Sequence, residues 1–226
     1  MNRQGVRHLH NHFANSGATV GMLAAHFAEL PWSLTVHGIS ETDYPAGALL
    51  AEKVKRATFV ACASYFMRAQ AMRFVADDQW AKMHIVRCGI DLSTVPDRPA
   101  AHQTKMGDPP QLICVGRLSP EKGYPGLFAA LAGLAAEGLD FSLTIVGDGP
   151  AADAIRADAK SQKLEDHIRF AGSLPESATL VEMAKADIFV LPSLMEGLPV
   201  VCQTAFKRDP RSASKKDPLA DMMGVC

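Results

Sequence analysis

Asp187-Ile-Phe-Val-Leu-Pro-Ser-Leu-Met-Glu-Gly-Leu-Pro-Val-Val201 is the stretch whose reading decides the fold. Ile188 to Leu191 are continuously apolar, as a parallel strand buried on both faces requires. Pro192 has no N–H to give a sheet ladder, so the strand is expected to end there. Glu196-Gly-Leu-Pro199 then turns the chain toward a helix. Strand, turn and helix N-terminus, in that order, is where open α/β sheets bind anionic ligands.

The pattern repeats upstream. Gln111 to Arg117 reads as a strand leading into Leu118-Ser-Pro-Glu-Lys-Gly123, with a helix from Tyr124 to Glu137. Phe141 to Val146 is the next strand and runs into Gly147-Asp-Gly-Pro150, with Pro150 suited to the first helical position. His167 to Phe170 is a strand, and Ser177 can cap a helix that runs to Lys185. Further upstream, strands are expected at Arg7–Phe13, Trp32–Val36, Thr58–Ala63 and Met83–Arg87. Helices are expected from Asn15 or Ser16 to Phe27, from Ala46 to Arg56 and from Tyr65 to Val75. Strands alternating with helices imply βαβ units and parallel sheets. Ser93 to Pro110 carries Pro96, Pro99, Pro109 and Pro110 and few apolar residues, a linker by composition. The expected organisation is therefore α/β, with two Rossmann-like parallel-sheet halves, both incomplete. A partial domain spans 1–95, a linker 96–110, a second partial domain 111–201, and an atypical polar tail 202–226.

The totals narrow the function. The chain has 226 residues, 48% hydrophobic and 21% charged, which suits a globular protein of one large or two small domains. A net charge of -1 gives no reason to expect nucleic acid as a partner. The five cysteines are an odd number without metal spacing. Cys62 and Cys114 fall in strand-like runs and are expected as reduced, buried thiols, which implies a cytoplasmic compartment. No apolar run approaches the ~20 residues of a membrane span, and Met1-Asn-Arg-Gln-Gly5 lacks the apolar core of a secretory signal.

Several residues could carry chemistry. His8, His10 and His12 alternate along a strand and point one way, but no Cys, Asp or Glu nearby completes a metal set. One or two of them are read instead as lining a crevice at a strand's carboxyl end. His37 closes the apolar strand Trp32–Val36 ahead of Gly38 and reads either as a ligand-facing residue or as a turn cap. Lys53, Lys55, Arg56, Arg68 and Arg73 make a basic region, read as a solvated helix face with weak attraction to anionic headgroups as the alternative. Arg117 and Lys122 share one loop at a strand's carboxyl end, where a guanidinium fork and an ammonium can grip a diphosphate. An ordinary solvated loop has the same spacing. Gly147-Asp-Gly is a turn that admits phosphate, but Gly-x-Gly is common in plain turns.

Taken together, Val115-Gly-Arg-Leu-Ser-Pro-Glu-Lys-Gly123, Val146-Gly-Asp-Gly-Pro150, Phe170-Ala-Gly172 and Asp187–Val201 resemble, in order and spacing, the family 4 glycosyltransferases, retaining enzymes of the GT-B fold. His10-Asn-His-Phe13, Thr35-Val-His-Gly38 and Cys88-Gly-Ile-Asp91 look like the acceptor-side half of that family. The resemblance covers residues 6 to 201. It implies that Arg117 and Lys122 bind the donor diphosphate, that Glu196 contacts hydroxyls of the donor sugar, and that His37 reaches over that sugar. It further places Gly116, Gly147, Ser173, Leu174, Gly197 and Leu198 beside the sugar, diphosphate and base. The donor would be a UDP- or GDP-sugar and the acceptor a glycan or lipid, in cell-surface polysaccharide or glycolipid synthesis. The location would be cytoplasmic, with a peripheral contact at the inner face of the membrane. No Asp-x-Asp is present, so a reaction without metal or other cofactor is expected.

The chain departs from the family in two places. The family's first strands and glycine-rich loop would precede residue 1. Eight residues after Glu196 the family has a carboxylate, and here Thr204 stands, followed by Ala-Phe-Lys. A hydroxyl cannot accept the charge-assisted bonds that a carboxylate takes from a ribose. From Cys202 the sequence reads as a frame change or an aberrant end. The alternative function is therefore a nucleotide-sugar-binding or inactive fragment without turnover.

Overall fold

The structure is a computed structural model, and it describes residues 5–43, 49–89, 91–96, 108–197 and 199–206. Their contacts divide the chain into two compact units. One takes the described residues up to 89 together with 196–200, and the other takes 91–195 together with 201–206.

The first unit is a four-stranded parallel sheet, β1 (Leu9–His12), β2 (Trp32–Val36), β3 (Val60–Cys62) and β4 (Met83–Ile85), in that spatial order. Helices α1 (Ser16–Phe27), α2 (Ser40–Asp43), α3 (Leu50–Arg56) and α4 (Tyr65–Met72) connect the strands. Asn15 caps α1, its side chain accepting from Gly17 N at 2.9 Å. The α1 helix lies close on the sheet: a Cβ at Gly21 would fall 1.9 Å from Asn11 Oδ1. Asn11 in turn accepts from Trp32 Nε1 at 2.7 Å. Leu34, Val36, Leu50, Val54, Val60, Cys62 and Met67 are fully buried in this core. Burying one such Leu, Val or Met side chain is worth roughly 1.5–3 kcal/mol, so the six of them outweigh any single polar feature of the unit.

The second unit is a parallel sheet of β5 (Gln111–Val115), β6 (Ser142–Val146), β7 (Ile168–Gly172) and β8 (Ile188–Phe189), in the spatial order β7-β6-β5-β8. Its helices are α5 (Tyr124–Ala136), α6 (Ala152–Ser161), α7 (Glu176–Lys185) and α8 (Val200–Phe206). Phe128, Leu131, Leu143, Ile145 and Leu164 fill one side of the sheet. On the other side Ile113, Val115, Val146 and Met183 pack with Val201 and Ala205 of α8.

Four expectations need correction. The run Ile188–Leu191 is not a strand buried on both faces: only Ile188 and Phe189 pair, with Leu112 and Ile113 of β5, and Ile188 is 48% exposed. The strand is at the edge of its sheet, so its apolar sequence is matched by one neighbour rather than two. Pro150 does not open a helix. Ala151 N is held by Leu118 O at 3.0 Å, and α6 starts only at Ala152. Ser177 does not cap α7, because Pro175 occupies the cap position and Ser177 lies within the first turn. Lys53 is no part of a solvated basic face: it is fully buried, and its Nζ donates to the carbonyls of Ala14 and Asn15, each at 2.6 Å.

Cys62 and Cys114 are free and buried as expected, and burial pushes each thiol up to about 11. Among the described residues, no helix is long and apolar enough to cross a membrane. The expected start of the third helix at Ala46, most of the linker (97–107) and the polar tail from Lys207 fall outside the described residues.

Candidate functional site

In the second unit the carboxyl ends of β5 and β6 make a floor built from backbone. Gly116 N donates to Val146 O at 3.0 Å, and Leu118 N to Asp148 O at 3.0 Å. Gly147 has φ +141, and a Cβ there would lie 2.0 Å from Gly116 O. A Cβ at Gly149 would lie 2.4 Å from Leu118 O. The two loops are packed main chain on main chain, so only glycine fits at these positions. Gly147 N also donates to Gly172 O at 2.8 Å, which brings the start of the Ser173-Leu174 loop beside the same floor. Ser173 is exposed, while Leu174 packs on the Val146 and Met183 cluster.

Arg117 and Lys122 stand on the loop above this floor. A short 3-10 turn, Pro120–Lys122, shapes the loop. Gly123 ends it at φ +68, where a Cβ would meet Pro192 O at 2.2 Å. Leu194 N donates to Glu121 O at 2.9 Å, so the turn after β8 is fastened to this loop. Ser119 donates to Glu121 Oε1 at 2.6 Å, and that bond is the first cause of a Glu121 carboxyl held below its usual range. Tyr124, almost wholly buried beneath the loop, donates to Gly116 O at 3.4 Å. Arg117 is exposed and Lys122 half-buried. An exposed guanidinium beside an ammonium, over open backbone turns, is suited to a dianion such as a diphosphate. Gly116, Arg117, Lys122 and Gly147 are thus brought together, with Ser173 one residue beyond.

The first unit builds its strand ends from side chains. His8, His10 and His12 share one face of β1. His8 Nε2 is 2.6 Å from Ser33 Oγ, and His10 is 2.7 Å from Ser33 Oγ and 2.9 Å from Thr35 Oγ1. His12 Nδ1 is 2.9 Å from His37 Nε2, whose other nitrogen is 3.4 Å from Cys88 Sγ. Burial first, then the neighbouring His12, His8 and His37, hold His10 below its ordinary 6.5. Burial also lowers His37, with Glu41 pulling it back up and His12 adding to the depression. The two nitrogens of His37 face different partners, and among the described residues no three His, Cys, Asp or Glu are grouped to hold a metal.

Behind His37 lies a residue the sequence reading passed over. Glu41 is 5% exposed, and its carboxylate accepts from the backbone N–H of Ala14, of His37 at 2.6 Å and of Gly38 at 2.7 Å. The signal was present in the spacing: a carboxylate three residues after a strand-end glycine can reach back to that residue's N–H, as in a capping box. The segment Glu196–Val200 clusters with this unit. A Cβ at Gly197 would lie 2.2 Å from His37 O, and Ser64 Oγ donates to Gly197 O at 3.1 Å. Glu196 and Gly197 are half-buried. Leu198 lies outside the described residues.

Other expectations are redistributed. Of the basic run, Lys53 is internal, Arg56 pairs with Glu52, and Arg73 donates to Gln70 at 2.7 Å. A cavity of about 930 Å³ lies at the opposite ends of β5, β6 and β7, lined among others by Gln111, Thr144, Arg169, Glu182 and Lys185. None of the expected site residues lines it, and three of its charges pair with one another: Glu182 accepts from Lys185 at 2.6 Å and from Arg169.

Residues 98–208 match the family described as glycosyl transferases group 1. A Bacillus subtilis protein, TuaC, described as a teichuronic acid biosynthesis glycosyltransferase, is 31% identical over 206 residues, which is 85% of this chain and 49% of that protein. In three dimensions the chain is similar to a sucrose-phosphate synthase from Thermosynechococcus elongatus (TM-score 0.78, 21% identity, 90% of this chain and 54% of that one). It is also similar to Anabaena HepE in complex with UDP and glucose (TM-score 0.71, 19% identity, 84% and 54%). The architecture of two parallel four-stranded sheets is that of the GT-B fold. The chain spans about a third to a half of the length of the curated relatives it matches.

Proposed function

From a chain that belongs to the group 1 glycosyltransferases, we infer a protein that moves a sugar from a UDP- or GDP-linked donor to a glycan or lipid-linked acceptor. The transfer retains anomeric configuration and serves polysaccharide or glycolipid assembly; a lipid-linked acceptor would place it at the inner face of the membrane. The observation that carries this reading is the backbone floor of Gly116, Gly147 and Gly149 with Arg117 and Lys122 on the loop above it. A diphosphate seated there gains negative charge as its bond to the anomeric carbon breaks, and the two cations stabilise that charge. Glu196 takes hydroxyls of the donor sugar and His37 attends the same sugar. Gly197 offers it its backbone, and Ser173 and Leu174 flank the nucleotide. The HepE structure containing UDP and glucose supports a nucleotide-diphosphate donor.

Thr204 favours a second reading. It is 6% exposed in α8, where the family resemblance calls for a carboxylate. A buried hydroxyl leaves the ribose without its charged acceptor, and a protein that binds the nucleotide sugar without turnover follows. Incubation with radiolabelled UDP-glucose and GDP-mannose, with bacterial glycolipid as acceptor, separates the two. Label in the glycolipid, lost in Arg117→Ala, supports transfer. Donor binding without label supports the second reading, and neither binding nor label would sink both.

A further inference from the structure

Phe13 occupies a conformation that its side chain does not favour. Its φ is +69, in the left-handed region that a bulky residue rarely adopts. Glu29 and Lys163 share that sign, but each closes a helix C-terminus, where one left-handed residue is ordinary: Leu30 N reaches Ala25 O and Leu164 N reaches Ala159 O. Leu49 holds the cap position of α3. Phe13 instead lies between β1 and α1, and the residues on both sides of it are fixed. His12 is in register with Thr35. Ala14 gives its N–H to Glu41 and its carbonyl to Lys53, and Lys53 also holds Asn15 O. The backbone turns left-handed at this one residue between strand and helix, a place that suits glycine or asparagine. The phenyl ring gains little burial in return. It is 50% exposed and rests against the His37 ring, centroids 4.6 Å apart and tilted by 42°.

A strained backbone that presents an exposed aromatic face at the carboxyl ends of two parallel strands is a binding feature by position. We propose that Phe13 is a stacking platform for a hexopyranose ring, clamped in place by Glu41 and Lys53. The apolar face of the sugar lies on the phenyl ring, and its hydroxyls bond to the imidazole edge of His12, whose Nδ1 is already engaged by His37. The sugar chemistry rests on the transferase reading above; the platform itself rests on the geometry of Phe13. The ring could come from the acceptor or from the donor, and the test separates them.

Saturation-transfer and chemical-shift NMR would be run on the whole chain with methyl α-D-glucopyranoside, methyl α-D-mannopyranoside, UDP-glucose and UDP. Phe13→Gly removes the ring and also relieves the backbone, so its melting temperature should equal or exceed the parent's. Its affinity for a pyranose should fall roughly tenfold, the loss of one aromatic contact. Phe13→Tyr should bind as the parent does. A loss confined to the methyl glycosides assigns the ring to the acceptor, and a loss with UDP-glucose but not with UDP assigns it to the donor. The proposal is overturned if the parent binds no pyranose, if Phe13→Gly binds as well as the parent, or if Phe13→Gly melts far below it, which would make Phe13 a packing residue. Failure of UDP to bind the parent would instead tell against the transferase reading and leave the methyl glycoside arm intact.

Discussion

The two sheets end in loops of opposite construction. In the first unit the loops after β1 and β2 are tied by buried charge: Glu41 accepts three backbone N–H groups and Lys53 caps two carbonyls. In the second the loops after β5, β6 and β8 touch through glycine backbone, with carbonyl oxygens where any Cβ would lie. The first arrangement fixes side chains, namely His37 and Phe13. The second packs main chain on main chain beneath the loop that carries Arg117 and Lys122. Parallel α/β sheets thus present two kinds of surface at the same topological position.

The comparison breaks most visibly at Glu41. Glu41→Ala orphans three backbone donors and leaves Lys53 without its nearest buried countercharge, at a cost of about 3–5 kcal/mol. Urea unfolding would read it as a lower midpoint with an unchanged slope, and an effect under about 1 kcal/mol would mean that water replaces the carboxylate. Gly147→Ala should cost somewhat less, about 2–4 kcal/mol, because strain at φ +141 adds to a clash with the Gly116 carbonyl. It should also weaken nucleotide binding, whereas Glu41→Ala should leave whatever binding the folded fraction shows.

How much of this was legible in the sequence follows from where each interaction acts. The alternation of strands and helices was legible because the apolar runs of β2, β5 and β6 are buried and carry their period along the chain. The edge position of β8 was not, because Ile188-Phe-Val-Leu191 is as apolar as a central strand and only the partner strands decide. That Arg117, Lys122 and Gly147 lie on neighbouring loops was legible because each loop directly follows an apolar strand run. Lys53 escaped because its partners, Ala14 and Asn15, lie 39 and 38 residues away; Glu41 showed only its local reach to His37 and Gly38, while its third partner, Ala14, lies 27 residues away. Lys53 was read as part of a charged surface since four other cations follow it in sequence, and only the fold turns it inward. Phe13 gave no signal at all, since backbone strain leaves no mark in composition.

The smallest expected effect is on pH dependence. His10 and His37 are both held below 6.5 in the folded state. Above 6.5 they are neutral folded or unfolded and cost nothing; as pH falls below 6.5 the unfolded chain takes up protons first, and stability is lost. Thermal melts should therefore be flat from pH 8 to about 6.5 and decline below it, with His37→Gln reducing the decline.

Calorimetric titration of the chain with UDP and GDP tests directly whether a diphosphate seats at Arg117 and Lys122. One of the two nucleotides should bind, with the affinity lost in Arg117→Ala/Lys122→Ala while the melting temperature stays within about 2 °C of the parent, as expected of surface charges. Absence of binding by either nucleotide, or binding that the double substitution leaves intact, would contradict it.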